Sequence, residues 1–348
     1  MSGEKIIGLL TGGGDAPGLN AVIRGIVYKG RKSGYRIFGF HEGWRGLLDK
    51  DYTELDIDNV RDIHTKGGTI LGSSRTNIYK RKDGEQTVLA NFKDLNLHVL
   101  IAIGGEDTLG VADKLFKSGL NVVGVPKTID NDVNATDYTF GFDTAINRVA
   151  ETLEWLHTTT ESHRRVMVVE VMGRHAGWIT LHGGIAGGAH FILIPEIPFD
   201  TDELCQQILE RHKKFKYTIV AVAEGAEDPE LSRHIMHTAQ KDEFGHIQLG
   251  TGIGIGEVLS KEIGDRTKLE TRAMVLGHLQ RGGRPSAFDI VLGTRFGVKV
   301  IELIEKEGFG KMVGLSGSEI IFADLEKGVG ELKTVPEERY EKAKLFFG

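Results

Sequence analysis

The stretch KIIGLLTGGGDAPGLN, residues 5–20, combines an apolar run, a cluster of glycines and the start of a helix-like segment. The apolar run predicts a buried parallel strand, and the glycines after it predict a turn where the backbone approaches something closely. The same order recurs in HVLIAI–GGEDTLG at 98–110, RRVMVVEVM–GRHAGW at 164–178 and YTIVAVA–EGAED at 217–228. Buried strands that end in glycine-rich turns are therefore the expected framework.

Segments with apolar residues at helical spacing lie between these strands. They are LNAVIRGIVYKGRKSG at 19–34, LGVADKLFKSG at 109–119, TAINRVAETLEWLH at 144–157 and TDELCQQILERHKKF at 201–215. Alternation of strands and helices along most of the chain predicts a three-layer α/β protein with a mostly parallel sheet. A chain of 348 residues is long enough for two domains, and we expect two.

The composition excludes several classes of function. The formal net charge of −6 argues against a general nucleic-acid or membrane-surface binder. No stretch approaches the roughly 20 apolar residues of a membrane span. The single cysteine, Cys205, cannot form an internal disulfide, and the first apolar run is too short for a secretory signal. We therefore expect a cytoplasmic protein without nucleic-acid or membrane partners.

The glycine-rich turns suggest phosphate binding. The loop TGGGDAPGLN at 11–20 would direct backbone N–H groups and a helix amino terminus at an anion. It lacks the Walker A ending and the dinucleotide spacing, so a tight turn without a ligand remains an alternative. In GGEDT at 104–108, Glu106 is a candidate ligand for Mg²⁺, which takes one or two carboxylates plus phosphate oxygens and water. A capped helix start would explain GGEDT equally well.

The segment PKTIDND at 126–132 reads as a site because it follows the apolar run NVVGV. A strand that breaks at Pro126 would deliver its polar side chains to the carboxyl end of a sheet, where open α/β sheets bind ligands. These side chains are Lys127, Thr128, Asp130 and Asp132.

Basic residues in glycine-rich contexts point to an anionic ligand. They are Arg75, Arg165, Arg174, Arg272, His278 and Arg281. The planar arginine fork suits bidentate phosphate contacts, although any single one is more often part of a surface salt bridge. Together, in an acidic chain, they predict a concave and locally positive pocket. By contrast, the spacing of His234, His237 and His246, without a nearby cysteine, predicts solvated surface histidines rather than a metal cluster.

The order of these motifs resembles the 6-phosphofructokinase family, and most closely its bacterial members that use pyrophosphate. The resemblance runs from about residue 5 to 300 through GGGDAPGLNAVIRG, GGTILGSSR, GGEDT, PKTIDND, VEVMGRHAG, AEGA and GHLQRGG. It implies two three-layer α/β/α domains with mostly parallel sheets and an active site in the interdomain cleft. The domain that binds the phosphoryl donor would comprise residues 1–141 plus 280–329, and the domain that binds fructose 6-phosphate would comprise 142–279 plus 330–348.

The resemblance also implies residue roles. Asp130 would be the general base that takes the proton from the C1 hydroxyl of fructose 6-phosphate, with Asp132 assisting through water. Glu106 would hold Mg²⁺. The other catalytic residues would be Thr128, Lys127, Asp107 and Arg174. The donor would be bound by Gly13, Gly14, Arg75, Gly105, Asp107 and Lys127. The sugar phosphate would be bound by Thr128, Asp130, Arg165, Met172, Gly173, Arg174, Glu224, Arg272, His278 and Arg281.

Two positions bear on the identity of the donor. Members of the family that use ATP generally have glycine where this chain has Asp107 and Lys127. Asp107 would place charge and volume where the α-phosphate of a nucleotide lies, and Lys127 would pair with the terminal phosphate of a shorter donor. Two unit charges about 4 Å apart interact by roughly 4 kcal/mol at an effective dielectric of 20. The resemblance therefore implies that inorganic diphosphate is the donor, in a reversible step of glycolysis and gluconeogenesis.

Alternatives remain at this point. If Asp107 and Lys127 pair with each other, ATP is the donor. A kinase with another sugar-phosphate acceptor and a catalytically silent subunit are further possibilities, although the retained Asp130 and Thr128 argue against the second. Arg165 and Arg272 match arginines that family members contribute across a subunit interface, which implies a homodimer or homotetramer.

Overall fold

The computed structural model of the chain describes residues 5–229, 231 and 254–348, so His234, His237 and His246 lie outside the described residues. The chain divides into two compact units. Unit 1 consists of Met1–Ile129, Val133–Asp143 and Arg281–Leu332. Unit 2 consists of Asp130–Asp132, Thr144–Gln280 and Lys333–Gly348.

Strands and helices alternate along the described ranges. The strands are β1 (Ile6–Thr11), β2 (Arg36–Phe40), β3 (Tyr52–Leu55), β4 (Leu97–Gly104), β5 (Val122–Pro126), β6 (Val166–Val171), β7 (Phe191–Leu193), β8 (Thr218–Ala223), β9 (Thr271–Val275), β10 (Lys311–Ser316) and β11 (Glu319–Asp324). The helices are α1 (Leu19–Lys32), α2 (Trp44–Asp49), α3 (Ile57–Val60), α4 (Gly84–Asp94), α5 (Glu106–Lys117), α6 (Phe142–Ser162), α7 (Trp178–Ala186), α8 (Thr201–Phe215), α9 (Ile255–Thr267), α10 (Ala287–Glu305), α11 (Leu325–Val329) and α12 (Glu337–Lys344).

Unit 1 contains a seven-stranded sheet with the strand order β11-β10-β5-β4-β1-β2-β3. The inner pairs are parallel, whereas β3 and β11 run antiparallel to their neighbours. Alternate residues of β4 enter different cores: Val99 and Ile101 pack with α1 and α10, and Leu100 packs with α5. Because side chains alternate across a strand, helices cover both faces of this sheet and make three layers.

Unit 2 contains a four-stranded sheet with the order β7-β8-β6-β9, in which each neighbouring pair is parallel. Val166 and Val168 of β6 share a core with α8 and α9. A Cβ built on Gly183 of α7 would lie 2.6 Å from the Val149 side chain, so α7 packs closely against α6. Strand β9 is an edge strand, and its residues after Thr271 are exposed.

The structure confirms the α/β fold class and the mostly parallel sheets that the sequence predicts. Each quoted apolar run forms a strand, and each quoted helical segment forms a helix. The residues Asp130–Asp132 group with unit 2, whereas the sequence-based boundaries assign them to the first domain. One contact that links these residues to unit 2 is the hydrogen bond from the Lys333 N–H to the Asp132 carbonyl oxygen. No helix in the described ranges is both long and apolar enough to span a membrane.

Candidate active site

A glycine loop at residues 12–18 connects β1 to α1 in unit 1. Gly13 has a φ of 79°, in the region that favours glycine, and its N–H donates to the Ser74 carbonyl oxygen at 3.1 Å. The Ser73 hydroxyl donates to the Gly13 carbonyl oxygen. Gly18, with a φ of 104°, directly precedes α1. The loop is therefore anchored to the segment around Ser73, and it leads into a helix amino terminus, where anions are stabilised.

A cavity of about 480 Å³ opens beside this glycine loop. It is lined by Gly13, Gly14, Asp15, Gly68, Thr69, Ser73, Ser74 and Arg75. The lining is rich in backbone and hydroxyl groups, with one guanidinium and one acidic residue, Asp15. The backbone groups, the hydroxyl groups and the guanidinium suit a phosphate ligand. Sequence reasoning identified Gly13, Gly14 and Arg75 but missed the two serines. Their signal was available in GGTILGSSR, where they directly precede Arg75.

Lys127 follows β5 and reaches the same glycine loop. Its backbone N–H donates to the Gly104 carbonyl oxygen at 2.9 Å, which extends the pairing of β5 with β4. Its ammonium group donates a hydrogen bond to the Gly14 carbonyl oxygen, and only 3% of the residue is exposed. A buried charge is costly unless polar groups or an opposite charge surround it. The fold therefore fixes a positive charge at the loop.

The amino terminus of α5 packs against the glycine loop from the other side. A Cβ built on Gly12 would lie 2.6 Å from the Thr108 hydroxyl oxygen. Gly105 precedes the helix, and Glu106 and Asp107 occupy its first turn. Among the residues that the structure describes, no group of three or more His, Cys, Asp or Glu side chains could hold a metal ion. Glu106 therefore fits Mg²⁺ only as one carboxylate that is joined by phosphate oxygens and water.

The turn after β6 holds a buried carboxylate in unit 2. Glu224 Oε1 accepts hydrogen bonds from the Arg174 N–H at 2.9 Å and the Gly173 N–H at 3.3 Å. Glu224 Oε2 is buried, and no described residue donates a hydrogen bond to it. A buried acceptor without a donor costs free energy. A ligand hydroxyl group at Oε2 would remove that cost.

Asp130 lies close enough to Glu224 to change its ionisation. Burial, and then the negative charge of Asp130, raise the pKa of Glu224 to about 7, against the opposing effect of the two N–H groups. Asp130 itself is only 4% exposed. Two carboxylates that follow different strands thus meet in unit 2, which is typical of a site rather than a surface.

Replacing Glu224 with glutamine is expected to raise the free energy of unfolding more at pH 8 than at pH 5. The folded-state pKa of Glu224, about 7, exceeds its ordinary value of 4.5. The protonated carboxyl group therefore makes its full contribution to the free energy of unfolding below pH 4.5, and this contribution is lost as the pH rises through 7. Glutamine keeps the Oε1 acceptor without the charge, so the gain at pH 8 should be about 1–3 kcal/mol. Urea unfolding at both pH values measures it, and equal gains at the two would contradict the raised pKa.

The turn Gly277–Arg281 lies beside the end of β6. Gln280 Oε1 accepts a hydrogen bond from the Met172 N–H at 3.3 Å, and its Nε2 donates to the Gly277 carbonyl oxygen at 3.1 Å. His278 lies in the same turn, two residues before Gln280, and is exposed. The motif GHLQRGG contains Gln280, but the sequence gives this residue no role. Its contact with Met172 joins residues that are far apart in the chain, so only the structure reveals it.

Arg281 belongs to unit 1 and contacts the glycine loop. Its Nη1 donates to the Asp15 carbonyl oxygen at 2.9 Å. A Cβ built on Gly14 would lie 2.9 Å from the same nitrogen, so glycine leaves room for the guanidinium. The structure therefore places Arg281 beside residues that the sequence assigns to the donor.

Arg165 and Arg272 lie away from the Met172 end of β6. Arg165 directly precedes β6, and seven extended residues place it roughly 23 Å from Met172. Arg272 lies inside β9 rather than at a strand end. Both arginines contact the same carboxylate oxygen, Glu270 Oε1, which is 3.1 Å from Arg272 Nη2 and 3.8 Å from Arg165 Nη1. Within a single chain these two arginines therefore do not join Arg174, and their assignment to the sugar-phosphate site of a neighbouring subunit stays a prediction.

An α/β sheet that carries an anion-directed glycine loop at its carboxyl edge defines a phosphate-binding α/β protein. The chain belongs to the phosphofructokinase family, whose model matches residues 6–304. The prediction of the family is therefore confirmed.

Individual relatives are similar over nearly the whole chain. A protein named pyrophosphate–fructose 6-phosphate 1-phosphotransferase from Amycolatopsis methanolica is 55% identical over 343 residues, covering 98% of this chain and 99% of the relative. A protein named ATP-dependent 6-phosphofructokinase 3 from Streptomyces coelicolor is 49% identical over 339 residues, covering 97% and 98%. The crystal structure of Pichia pastoris phosphofructokinase in the T-state matches with a TM-score of 0.83 and 32% identity, over 95% of this chain and 36% of that longer chain.

Proposed function

We propose that this chain transfers a phosphoryl group from inorganic diphosphate to the C1 hydroxyl of D-fructose 6-phosphate, giving fructose 1,6-bisphosphate. The relative from Amycolatopsis methanolica is named for this reaction, whereas the Streptomyces coelicolor relative at 49% identity is named for ATP. The observation that favours diphosphate over ATP is the position of Lys127, whose buried ammonium group donates a hydrogen bond to Gly14 in the glycine loop.

Lys127 favours a short donor for electrostatic and steric reasons. Its side chain occupies a position that is generally glycine in the ATP-using members of the family, as does the side chain of Asp107. A terminal phosphate within about 4 Å of the ammonium group would gain roughly 4 kcal/mol at an effective dielectric of 20. A nucleotide α-phosphate would instead meet the added volume and the Asp107 carboxylate. The ATP-dependent reaction is the alternative that the experiment below separates.

Asp130 is the proposed general base. It takes the proton from the C1 hydroxyl while that oxygen attacks one phosphorus atom of diphosphate. The bond from that phosphorus atom to the bridging oxygen breaks, and orthophosphate leaves. Lys127, Arg75 and the N–H groups around Gly13 stabilise the charge on the transferring phosphoryl group, which is the main requirement of this chemistry. Thr128, which lies between Lys127 and Asp130 in the sequence, is proposed to assist them, and its carbonyl oxygen accepts a hydrogen bond from the Thr139 hydroxyl at 2.8 Å.

Unit 2 is the proposed site of the sugar phosphate, and unit 1 is the proposed site of the donor. Glu224 Oε2 would accept a hydrogen bond from a sugar hydroxyl, because it is buried and has no donor among the described residues. His278 and the turn from Met172 to Arg174 would contact the rest of the substrate. Arg281 is also proposed to bind the sugar phosphate, and its contact with Asp15 holds it at the glycine loop.

Glu106 is the proposed protein ligand of Mg²⁺. Its place in the first turn of α5, beside the glycine loop, suits an ion that is also bound by phosphate oxygens. When bound, Mg²⁺ would neutralise part of the negative charge on the donor.

The active protein is proposed to be a homodimer or homotetramer in the cytoplasm. Arg165 and Arg272 would each complete the sugar-phosphate site of a neighbouring subunit. Two observations support this: the pair lies far from Met172 in its own chain, and β9 is the outermost of the described strands in its sheet, with the exposed apolar residues Met274 and Val275. Sedimentation of a monomer that retains full activity would contradict the proposal.

The test is the formation of fructose 1,6-bisphosphate from fructose 6-phosphate with Mg²⁺, run in parallel with diphosphate and with ATP at equal concentrations. Turnover with diphosphate alone is expected. Turnover with ATP alone would reject diphosphate as the donor, and no turnover with either compound would reject the reaction.

Replacing Asp107 and Lys127 together by glycine should shift the ratio of the two rates toward ATP by about tenfold or more. A tenfold shift equals a change of about 1.4 kcal/mol in the relative barriers.

A further inference from the structure

The loop that carries Asp130 is held by a segment near the carboxyl end of the chain. The Lys333 N–H donates to the Asp132 carbonyl oxygen at 2.9 Å. Between Asp130 and Asp132, Asn131 has a φ of 54°, a left-handed conformation that asparagine adopts more readily than most other residues apart from glycine. The loop therefore turns sharply between the two aspartates, and the contact with Lys333 fixes its far end.

Trp178, the first residue of α7, fixes Lys333 in turn. Its indole N–H donates to the Lys333 carbonyl oxygen at 2.9 Å, and the residue is only 4% exposed. The Arg339 guanidinium lies 5.2 Å from the centre of the indole ring, and the Lys333 ammonium lies 5.7 Å from it. Both distances are within the range of cation–π attraction, which helps to hold the ring in place.

Glu196 joins the same two segments through its carboxylate. Its Oε1 accepts hydrogen bonds from the Gly177 N–H at 2.9 Å and the Val335 N–H at 2.8 Å. Its Oε2 also lies 3.1 Å from the Gly177 nitrogen. Because hydrogen bonds to an ionised acceptor are stronger than neutral ones, this carboxylate is an effective link.

These contacts connect the proposed base to the proposed sugar site inside unit 2. Gly177 and Trp178 follow the turn of Gly173 and Arg174, whose N–H groups bind Glu224. The turn is therefore continuous in sequence with the residues that hold the segment at 333–335. That segment in turn holds the loop at 130–132.

We infer that Trp178 and Glu196 are positioning residues, which act through Lys333 and Val335 to keep Asp130 aligned with the sugar-binding turn. The inference rests on the proposed function, since the alignment of Asp130 matters for rate only if Asp130 is the general base. The role requires the indole N–H of Trp178 and the Oε1 acceptor of Glu196, not simply the volume of the two side chains.

Trp178→Phe is the first test, because phenylalanine keeps an aromatic ring but cannot donate the hydrogen bond. We expect kcat to fall by about 10- to 100-fold, the effect of a small misplacement of a catalytic group, while KM for diphosphate stays unchanged. Trp155→Phe is the matched control, since Trp155 lies on α6 with 65% exposure, and it should leave kcat unchanged. An unchanged kcat in Trp178→Phe would overturn the inference.

A second test separates positioning from general destabilisation. In an Asp130→Asn background, Trp178→Phe should cause no further loss of rate, because there is no base left to align. An equal loss in both backgrounds would overturn the inference. Glu196→Ala should reproduce the loss, whereas Glu196→Gln, which keeps the Oε1 acceptor, should retain most of the rate.

A third measurement does not depend on activity. Hydrogen–deuterium exchange at the Lys333 and Val335 amides should be faster in Trp178→Phe than in the wild type, and equal exchange would overturn the link. If the wild-type chain shows no turnover with diphosphate or ATP, the proposed function fails, and the exchange result still decides whether Trp178 holds this segment.

Discussion

Asp130→Asn is expected to lower kcat by about 10²- to 10⁴-fold, the usual contribution of a positioned general base. Asparagine is nearly isosteric with aspartate, so the buried position should be filled without a cavity, but its amide cannot take the proton from the C1 hydroxyl. The variant should also lower the pKa of Glu224, because the negative charge of Asp130 is one of the causes that raise it. Steady-state kinetics and the pH dependence of the KM for fructose 6-phosphate measure the two effects.

The matched control for this prediction is Asp58→Asn. Asp58 is an exposed residue whose carboxylate lies 2.8 Å from Arg61 on the surface, where an ion pair contributes little to stability. We expect its kcat to equal that of the wild type. A kcat for Asp130→Asn that matches the control would assign the base to another group.

Lys127→Met is expected to lower kcat/KM for diphosphate by about 10²- to 10³-fold, as when one preorganised donor is removed from a charged transition state. Methionine has a similar length and suits a buried position, so the loss should come from the charge and not from a cavity. The hydrogen bond to the Gly14 carbonyl oxygen also disappears. The KM for fructose 6-phosphate should change little, because Lys127 belongs to the proposed donor site.

Lys213→Met is the control, since the Lys213 side chain is 68% exposed on α8 and pairs only with a neighbouring surface glutamate in the contacts that the structure describes. It should keep the wild-type kcat/KM for diphosphate. If Lys127→Met raised the KM for fructose 6-phosphate and left diphosphate use intact, Lys127 would belong to the sugar site instead.

Local patterns in the sequence predicted much of the fold. The order of β1, the glycine loop and α1 is visible within residues 5–32, because strand burial, turn glycines and helical periodicity are all short-range signals. The same holds for β4 with α5. The sequence did not reveal β3 and β11, which are edge strands with few buried residues and therefore lack a clear apolar run.

Part of the lining of the cavity beside the glycine loop was predictable for a similar reason. Gly13, Gly14 and Arg75 stand in motifs that each follow a recognisable local pattern, and the structure gathers them around one cavity. Lys127 stood out because it directly follows an apolar strand. Ser73 and Ser74 directly precede Arg75 in the sequence, but nothing in the local pattern assigned them a role. Their place in the lining of the cavity is seen only in the structure.

The sequence by itself determined the fold class and the family, and it predicted which residues carry chemistry, since these depend on runs of neighbouring residues. Tertiary structure alone decided which of those residues meet. It separated Arg165 from Met172 along β6, raised the pKa of Glu224 through burial and Asp130, and placed Trp178 against Lys333. Such effects arise between residues far apart in the chain, because distance and solvent exclusion, not sequence spacing, set the strength of charge interactions and hydrogen bonds.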